Sequence, residues 1–443
     1  MAPSTRHARS KTAGLPTRDV ALDLLRGVLD DGRSLTDILE DATGRHSKLA
    51  MADRAFGRLI AMTTLRRLGE IDAMIGKLLQ RPLPRRALEV QHILRLAAAQ
   101  VAFLGTASHA VVNCAVEQAK RCPGRFGPLV NAVTRKMAPQ PEDAVTAPGV
   151  NVPDWLWESW LQHYGPETAA EIAAAHLTEP PLDLTIAKPN ETTLWAERLE
   201  GQTLVPGTVR LARAHNVPIL DGFEEGAWWV QDVAASLPAR VLLSMLADPS
   251  SAQIADLCAA PGGKTAQLAS VGAAVTAVEV DGARLERVQE NLTRLELDAT
   301  LVTADARTWR PQGGTLFDAI LLDAPCTATG NIRRHPDIPW LKRATDVAQA
   351  AKLQGELLAA AWRLLRPGGH LVYAVCSLQP EEGKQRIKTF VDQNEAERAP
   401  ISATEIQGLC APDPDGDLQT LPFLDRNRGG MDGFFVSRLR KPG

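Results

Sequence analysis

The chain has 443 residues, 45% of them hydrophobic and 23% charged, with a formal net charge of −3. That length calls for two or three domains, and the composition is ordinary for a soluble globular protein. Its longest apolar stretches fall well short of a membrane span, Met1 to Arg6 lead into no apolar signal core, and six scattered cysteines without CxxC spacing exclude a disulfide framework or a zinc site. A cytoplasmic, metal-free protein with reduced thiols follows.

Residues 1–15 read as a flexible basic tail. From 16 to 140 the pattern is all-helical: Ala21-Leu22, Leu24-Leu25 and Val28-Leu29 make a 3.6-residue stripe, and Leu88 to Leu104 a longer one rich in alanine. Residues 1–140 carry 22 Lys+Arg against 12 Asp+Glu, and the remainder 27 against 40. A basic half joined to an acidic half points to a polyanion partner for the first, although a solvated helical surface would give the same count. Residues 141–153 are Pro-, Ala- and acid-rich without periodicity, as a linker is.

A tryptophan-bearing amphipathic helix follows (Trp155, Trp157, Trp160, Leu161), opening a small α+β region over 154–235. There Leu182–Ile186 and Val217–Leu220 read as strands and Thr192–Leu199 as a helix. From 236 to 443 strands and helices alternate regularly. Phe317–Leu322 and His370–Val375 are continuous apolar runs, as expected of parallel strands covered on both faces. The fold class predicted is α/β, a doubly wound Rossmann-like sheet behind an all-α domain.

In such a sheet the first strand ends in a glycine-rich turn, and ligands bind at the carboxyl edge. Cys258-Ala259-Ala260-Pro261-Gly262-Gly263-Lys264 supplies that turn. It matches neither a P-loop, since Cys258 stands where the first glycine belongs, nor a Gly-x-Gly-x-x-Gly fingerprint. A ribose-bearing cofactor without polyphosphate remains, for which S-adenosylmethionine is the common case. Glu279, about twenty residues on, could accept the ribose hydroxyls, with Asp281 as its rival. Asp305, at the next strand end, suits an adenine amino group.

Most cysteines at strand ends are small buried hydrophobes, and Cys114, Cys122, Cys258 and Cys410 take that reading. Cys326 and Cys376 differ, because their strands feed the ligand edge and polar or turn residues flank them. A thiol beside this cofactor points to methylation of a carbon that is not nucleophilic by itself, such as C5 of a pyrimidine activated by sulfur attack at C6. The attacking form is the thiolate, only a few per cent populated near neutrality at a free cysteine pKa of about 8.5. A cation such as Lys264 would help.

These segments together resemble a known family. Asp256–Lys264, Leu322-Asp323-Ala324-Pro325-Cys326, Arg333-Arg334-His335-Pro336-Asp337, Tyr373-Ala374-Val375-Cys376-Ser377 and Asp432-Gly433-Phe434-Phe435 are similar to the RNA cytosine-C5 methyltransferases of the NOL1/NOP2/Sun family. Residues 17–137, with Asn113-Cys114-Ala115-Val116-Glu117 and Val130-Asn131-Ala132-Val133, resemble the NusB RNA-binding fold. The pairing is similar to bacterial enzymes of the Fmu/Sun/RsmB kind that act on small-subunit 16S ribosomal RNA. The resemblance implies Cys376 as nucleophile, Cys326 aiding product release, and Cys258–Lys264, Glu279, Asp305 and Asp323 around S-adenosylmethionine. It places Asp323 also at the cytosine edge. Arg333, Arg334 and His335 are expected on an RNA-facing loop, or else as helix-capping residues.

Two residues depart from the family pattern: Glu279 stands where Asp is usual, and Val375 where Thr is. Transfer RNA as the substrate, or an inactive RNA-binding assembly protein, are the readings left open, and a monomer is expected.

Overall fold

The computed structural model describes residues 14–41, 43–140, 147–212 and 216–443. The expected basic tail therefore lies almost wholly outside the described residues, as does the first part of the expected linker. The chain divides into two compact units, residues up to Glu158 with His335–Arg343, and Ser159–Arg334 with Ala344–Gly443.

The first unit is helical: α1 (Leu15–Leu29), α2 (Leu35–Glu40), α3 (Met51–Arg66), α4 (Leu68–Leu78), α5 (Leu88–Ala102), α6 (Ser108–Arg121) and α7 (Gly127–Thr134). The stripe on α1 buries Ala21, Leu24, Leu25 and Val28, all at 1% exposure or less. Along α5 eleven of fifteen residues are buried. A helix apolar nearly all round must sit in the interior, and its alanines let neighbours approach closely. Ser34 caps α2 by accepting from the Asp37 N–H at 3.1 Å, which satisfies one of the donors every helix start leaves open.

A long helix, α8 (Asp154–His176), is interrupted at Gly165, whose φ of 77° is followed by Pro166. In the second unit β1 (Leu182–Ile186), α9 (Thr192–Arg198), β2 (Gln202–Val205), β3 (Thr208–Leu211) and β4 (Trp228–Val230) build a small antiparallel sheet in the order β2-β3-β1-β4. Leu184, Trp195, Val209 and Trp228 form its core. One expectation fails here. Val217–Ile219 is a short 3-10 turn, not a strand, because Pro218 has no N–H for a ladder. The strands β2, β3 and β4 escaped the sequence reading, being only three or four residues long.

Then come α10 (Val233–Leu243), β5 (Gln253–Leu257), α11 (Gly263–Ala269), β6 (Ala274–Glu279), α12 (Gly282–Arg294), β7 (Thr300–Thr303) and β8 (Phe317–Asp323). The chain continues through α13 (Ile338–Leu341), α14 (Ala344–Leu364), β9 (Leu365–Val375), α15 (Lys384–Gln393), β10 (Glu397–Arg398), β11 (Leu418–Gln419) and β12 (Phe435–Arg440). The sheet order is β10-β12-β9-β8-β5-β6-β7, with β11 paired to β12. The strands from β9 to β7 run parallel, and β12 is antiparallel to β9. Ile320, Leu321 and Leu322 of β8 and Val372, Tyr373 and Ala374 of β9 are 0% exposed, as covered parallel strands require. Chain order reverses between β5 and β8, and a doubly wound sheet opens its ligand crevice at that reversal.

The segment after Arg334 belongs elsewhere. His335–Arg343 groups with the helical unit, where Trp340 and Leu341 pack on its core. The Trp340 indole donates to the Leu65 carbonyl at 3.0 Å, and Asp337 accepts from the Leu35 N–H at 2.9 Å.

Candidate active site

Leaving β5, the chain turns at Cys258, with φ at 63°, and again at Gly262, with φ at 97°. A Cβ at Gly262 would come within 3.0 Å of Val288 on α12, so this position needs glycine on both counts. Glu279 ends β6 beside the turn and is 2% exposed. Its carboxylate accepts from the N–H groups of Ala260 (3.3 Å), Val280 (3.0 Å) and Asp281 (3.3 Å). The rival Asp281 is occupied in capping α12, accepting from Ala283 and Arg284.

Asp305 follows β7, but Arg307 grips both of its oxygens at 2.7–3.1 Å and holds the carboxyl below its ordinary range. An adenine amino group reaching Asp305 would share the carboxylate with this ion pair. Burial, with help from Glu279, pushes the Cys258 thiol far up, consistent with a packing role.

Under the turn, Asp256 is fully buried. Its Oδ2 accepts from the Thr265 hydroxyl at 2.6 Å, while Oδ1 has no partner among the described residues. Burial pushes this carboxyl up to about 7, since charge is costly away from water.

Asp323 ends β8 and accepts from the Lys264 ammonium at 2.7 Å. Burial by itself would lower Lys264, but Asp323, then Asp256 and the Cys376 sulfur, more than offset it, so the cation is held above its usual range. It also lies 5.4 Å over the Phe434 ring. Cys326, three residues beyond Asp323, and Cys376, directly after β9, meet with their sulfurs 3.5 Å apart. The Cys326 thiol is raised well above its ordinary value by its hydrogen bond with Cys376 and by burial. Raised in this way, the Cys326 thiol stays protonated near neutral pH.

Backbone contacts lock the thiol loops. The Gly330 N–H donates to the Cys376 carbonyl at 3.0 Å, and the Gly433 N–H to the Gly330 carbonyl at 2.9 Å. A Cβ at Gly330 would fall 1.9 Å from the Gly433 oxygen, so only glycine permits this approach.

The expectation for the basic trio needs correction. Arg333 is 1% exposed, donates to the Gly429 carbonyl at 2.7 Å and lies 3.7 Å from Asp432. Arg334 bridges Asp232 (2.6 Å) and Asp432 (2.8 Å). Both arginines hold internal carboxylates and do not present a phosphate-binding face. His335 groups with the helical unit.

A family model described as 16S rRNA methyltransferase RsmB/F matches residues 243–440, and one described as NusB family matches residues 15–139. The ribosomal RNA small subunit methyltransferase B of Cronobacter sakazakii is 34% identical over 445 residues, covering 96% of this chain and 98% of its own. The chain belongs to the RsmB/F family of methyltransferases. Two solved structures share its fold. PH0851 has a TM-score of 0.74 at 22% identity, covering 97% of this chain and 99% of its own. NSun6 from Pyrococcus horikoshii with SFG has a TM-score of 0.55 at 21% identity, covering 66% and 98%.

The cofactor of RsmB/F enzymes is S-adenosylmethionine, and the residues here fit it. Glu279 accepts three N–H groups and so keeps acceptor capacity for a ribose hydroxyl. Beneath the turn, Asp256 Oδ1 has no partner among the described residues, and Lys264 adds a cation near it. Sequence reasoning missed Glu382, Thr327 and Gln354, which with Ser377 form a hydrogen-bonded group beside the thiol pair. Glu382 follows Cys376 by six residues on a polar loop, where an acid signals nothing until the fold shows it buried.

Proposed function

We propose that this chain methylates carbon 5 of a cytosine in small-subunit ribosomal RNA, with Cys376 as the nucleophile. The observation carrying this reading is the pair of sulfurs 3.5 Å apart at the carboxyl edge, beside Lys264 and Asp323. The target must be unpaired or flipped for its ring to reach a thiol there. Cys376 in its thiolate form attacks C6, forming a C–S bond and pushing the ring electrons toward N3, which makes C5 nucleophilic. S-adenosylmethionine, when bound, supplies an electrophilic methyl group. Loss of the C5 proton then re-forms the C5–C6 double bond and expels the thiolate.

Cys326, held protonated 3.5 Å from the departing sulfur, is suited to donate its proton to Cys376 as the adduct breaks, while solvent water takes the C5 proton. Lys264 places a positive charge near the Cys376 sulfur and orients Asp323, whose second oxygen faces the pyrimidine edge in this reading. The glycine turn Cys258–Lys264 and Glu279 hold the cofactor. The basic helical unit grips phosphates, as its excess of Lys and Arg supports, and the chain acts in the cytoplasm, where bacterial ribosomal RNA is found.

Bisulfite sequencing of small-subunit ribosomal RNA, with the gene present, deleted, or carrying Cys376→Ala, tests the reading. One protected cytosine is expected to become convertible both in the deletion and in the variant. An unchanged pattern in either strain overturns it.

A further inference from the structure

The thiol pair is flanked by a buried carboxylate that the chemistry above does not use. Glu382 is 0% exposed. Its Oε1 accepts from the Ser377 hydroxyl at 2.7 Å and from the Thr327 hydroxyl, and its Oε2 from the Thr327 N–H at 2.9 Å and the Gln354 amide at 3.0 Å. Thr327 follows Cys326 and Ser377 follows Cys376. Gln354 also donates to the carbonyl of Pro325, the residue before Cys326, at 2.9 Å. Both cysteines therefore have neighbours tied to one carboxylate. Tyr373 of β9 in turn holds the Glu382 carbonyl at 2.6 Å, so the anchor is tied to the sheet.

Four donors on two oxygens match a carboxylate, which only accepts. Burying such a group is costly unless it is fully bonded, and here the bonds go to the two loops whose spacing the reaction needs.

We infer that Glu382 is a positioning residue that sets the distance between Cys326 and Cys376, an inference resting on the function proposed above. An amide in its place would turn an NH2 group toward donors and loosen at least one loop. Misplacement by about 1 Å can cost on the order of 100-fold in rate.

The test compares wild type, Glu382→Gln and Ser377→Ala as full-length proteins. One arm measures kcat and KM for S-adenosylmethionine on ribosomal RNA. The other equilibrates the protein with oxidised and reduced glutathione. There two thiols give up two hydrogens to one glutathione disulfide, forming the Cys326–Cys376 bond and two glutathione thiols; loops held in place favour that bond.

Glu382→Gln is expected to lower kcat about 100-fold with KM within about two-fold, and to lower the equilibrium constant for the internal disulfide at least about ten-fold. If the thiols pair as readily in Glu382→Gln as in wild type, the inference is overturned whatever happens to kcat. Should that variant not fold, Ser377→Ala decides by the same two measurements, with about ten-fold effects expected. If wild type leaves cytosine unmethylated, the functional reading fails by itself, while the glutathione arm still decides the spacing.

Discussion

At the scale of single residues the site separates two thiols that the sequence presents as near equivalents. Cys326 is kept protonated by its neighbour sulfur and by burial, which suits a group that assists release over one that attacks. Replacing it with Ala should leave adduct formation intact and slow its breakdown. The expected outcome is a denaturant-resistant protein–RNA band on a gel, one that is faint in wild type. Asp256 offers a test on stability. Its carboxyl is raised to about 7 in the folded chain against about 4 when unfolded, so the folded state binds the proton more tightly. Its contribution is complete below about pH 4 and is lost as pH rises to about 7, a span worth roughly 4 kcal/mol. In urea unfolding of the cofactor-free protein, Asp256→Asn should flatten that slope and match or exceed wild-type stability at pH 8.

At the scale of elements, one buried ion cluster joins segments far apart in the chain. Asp183 of β1 pairs with Arg210 of β3 at 2.6 Å. Arg210 also donates to the Arg428 carbonyl at 2.8 Å. Asp232, before α10, meets Arg334, and Arg334 meets Asp432. Burial and the nearby Asp232 push Asp432 up, and the two arginines oppose that. Such a cluster adds less than its Coulomb energy suggests, because all its charges were taken out of water. Removing one partner is a different matter, since the remaining charge stays buried. Arg334→Met leaves Asp232 and Asp432 with the more distant Arg333 to offset them and should cost about 3–5 kcal/mol in urea unfolding. An effect below about 1 kcal/mol would mean that these carboxylates escape to solvent.

At the scale of the whole molecule the division of the chain changes how RNA binding is best tested. Deleting the helical residues would strip Trp340 and Leu341 of the core they pack on, exposing apolar surface as well as removing charge. Neutralising exposed cations is the cleaner probe. Arg85 and Arg86 stand exposed in the short turn before α5. Changing both to Gln should weaken RNA binding at low salt and reduce the slope of log affinity against log salt by about 0.7–0.9 for each phosphate that is no longer neutralised, with S-adenosylmethionine affinity unchanged in calorimetry. An unaltered slope would place the phosphate-binding cations elsewhere on the helical unit.

The sequence by itself determined what repeats locally or carries chemistry in contiguous residues. The helical stripes of α1 and α5, the apolar runs of β8 and β9, the glycine turn and the two cysteines at strand ends were all legible, because period and punctuation reflect burial within one element. Only the tertiary structure decided what depends on residues distant in the chain. It brought two sulfurs fifty positions apart to 3.5 Å and turned Arg333 and Arg334 inward onto Asp232 and Asp432. It also gave Arg307 to Asp305 and buried Glu382 between the thiol loops. A charged side chain looks the same in sequence whether it faces water or a carboxylate, and the difference arises only when the sheet closes around it.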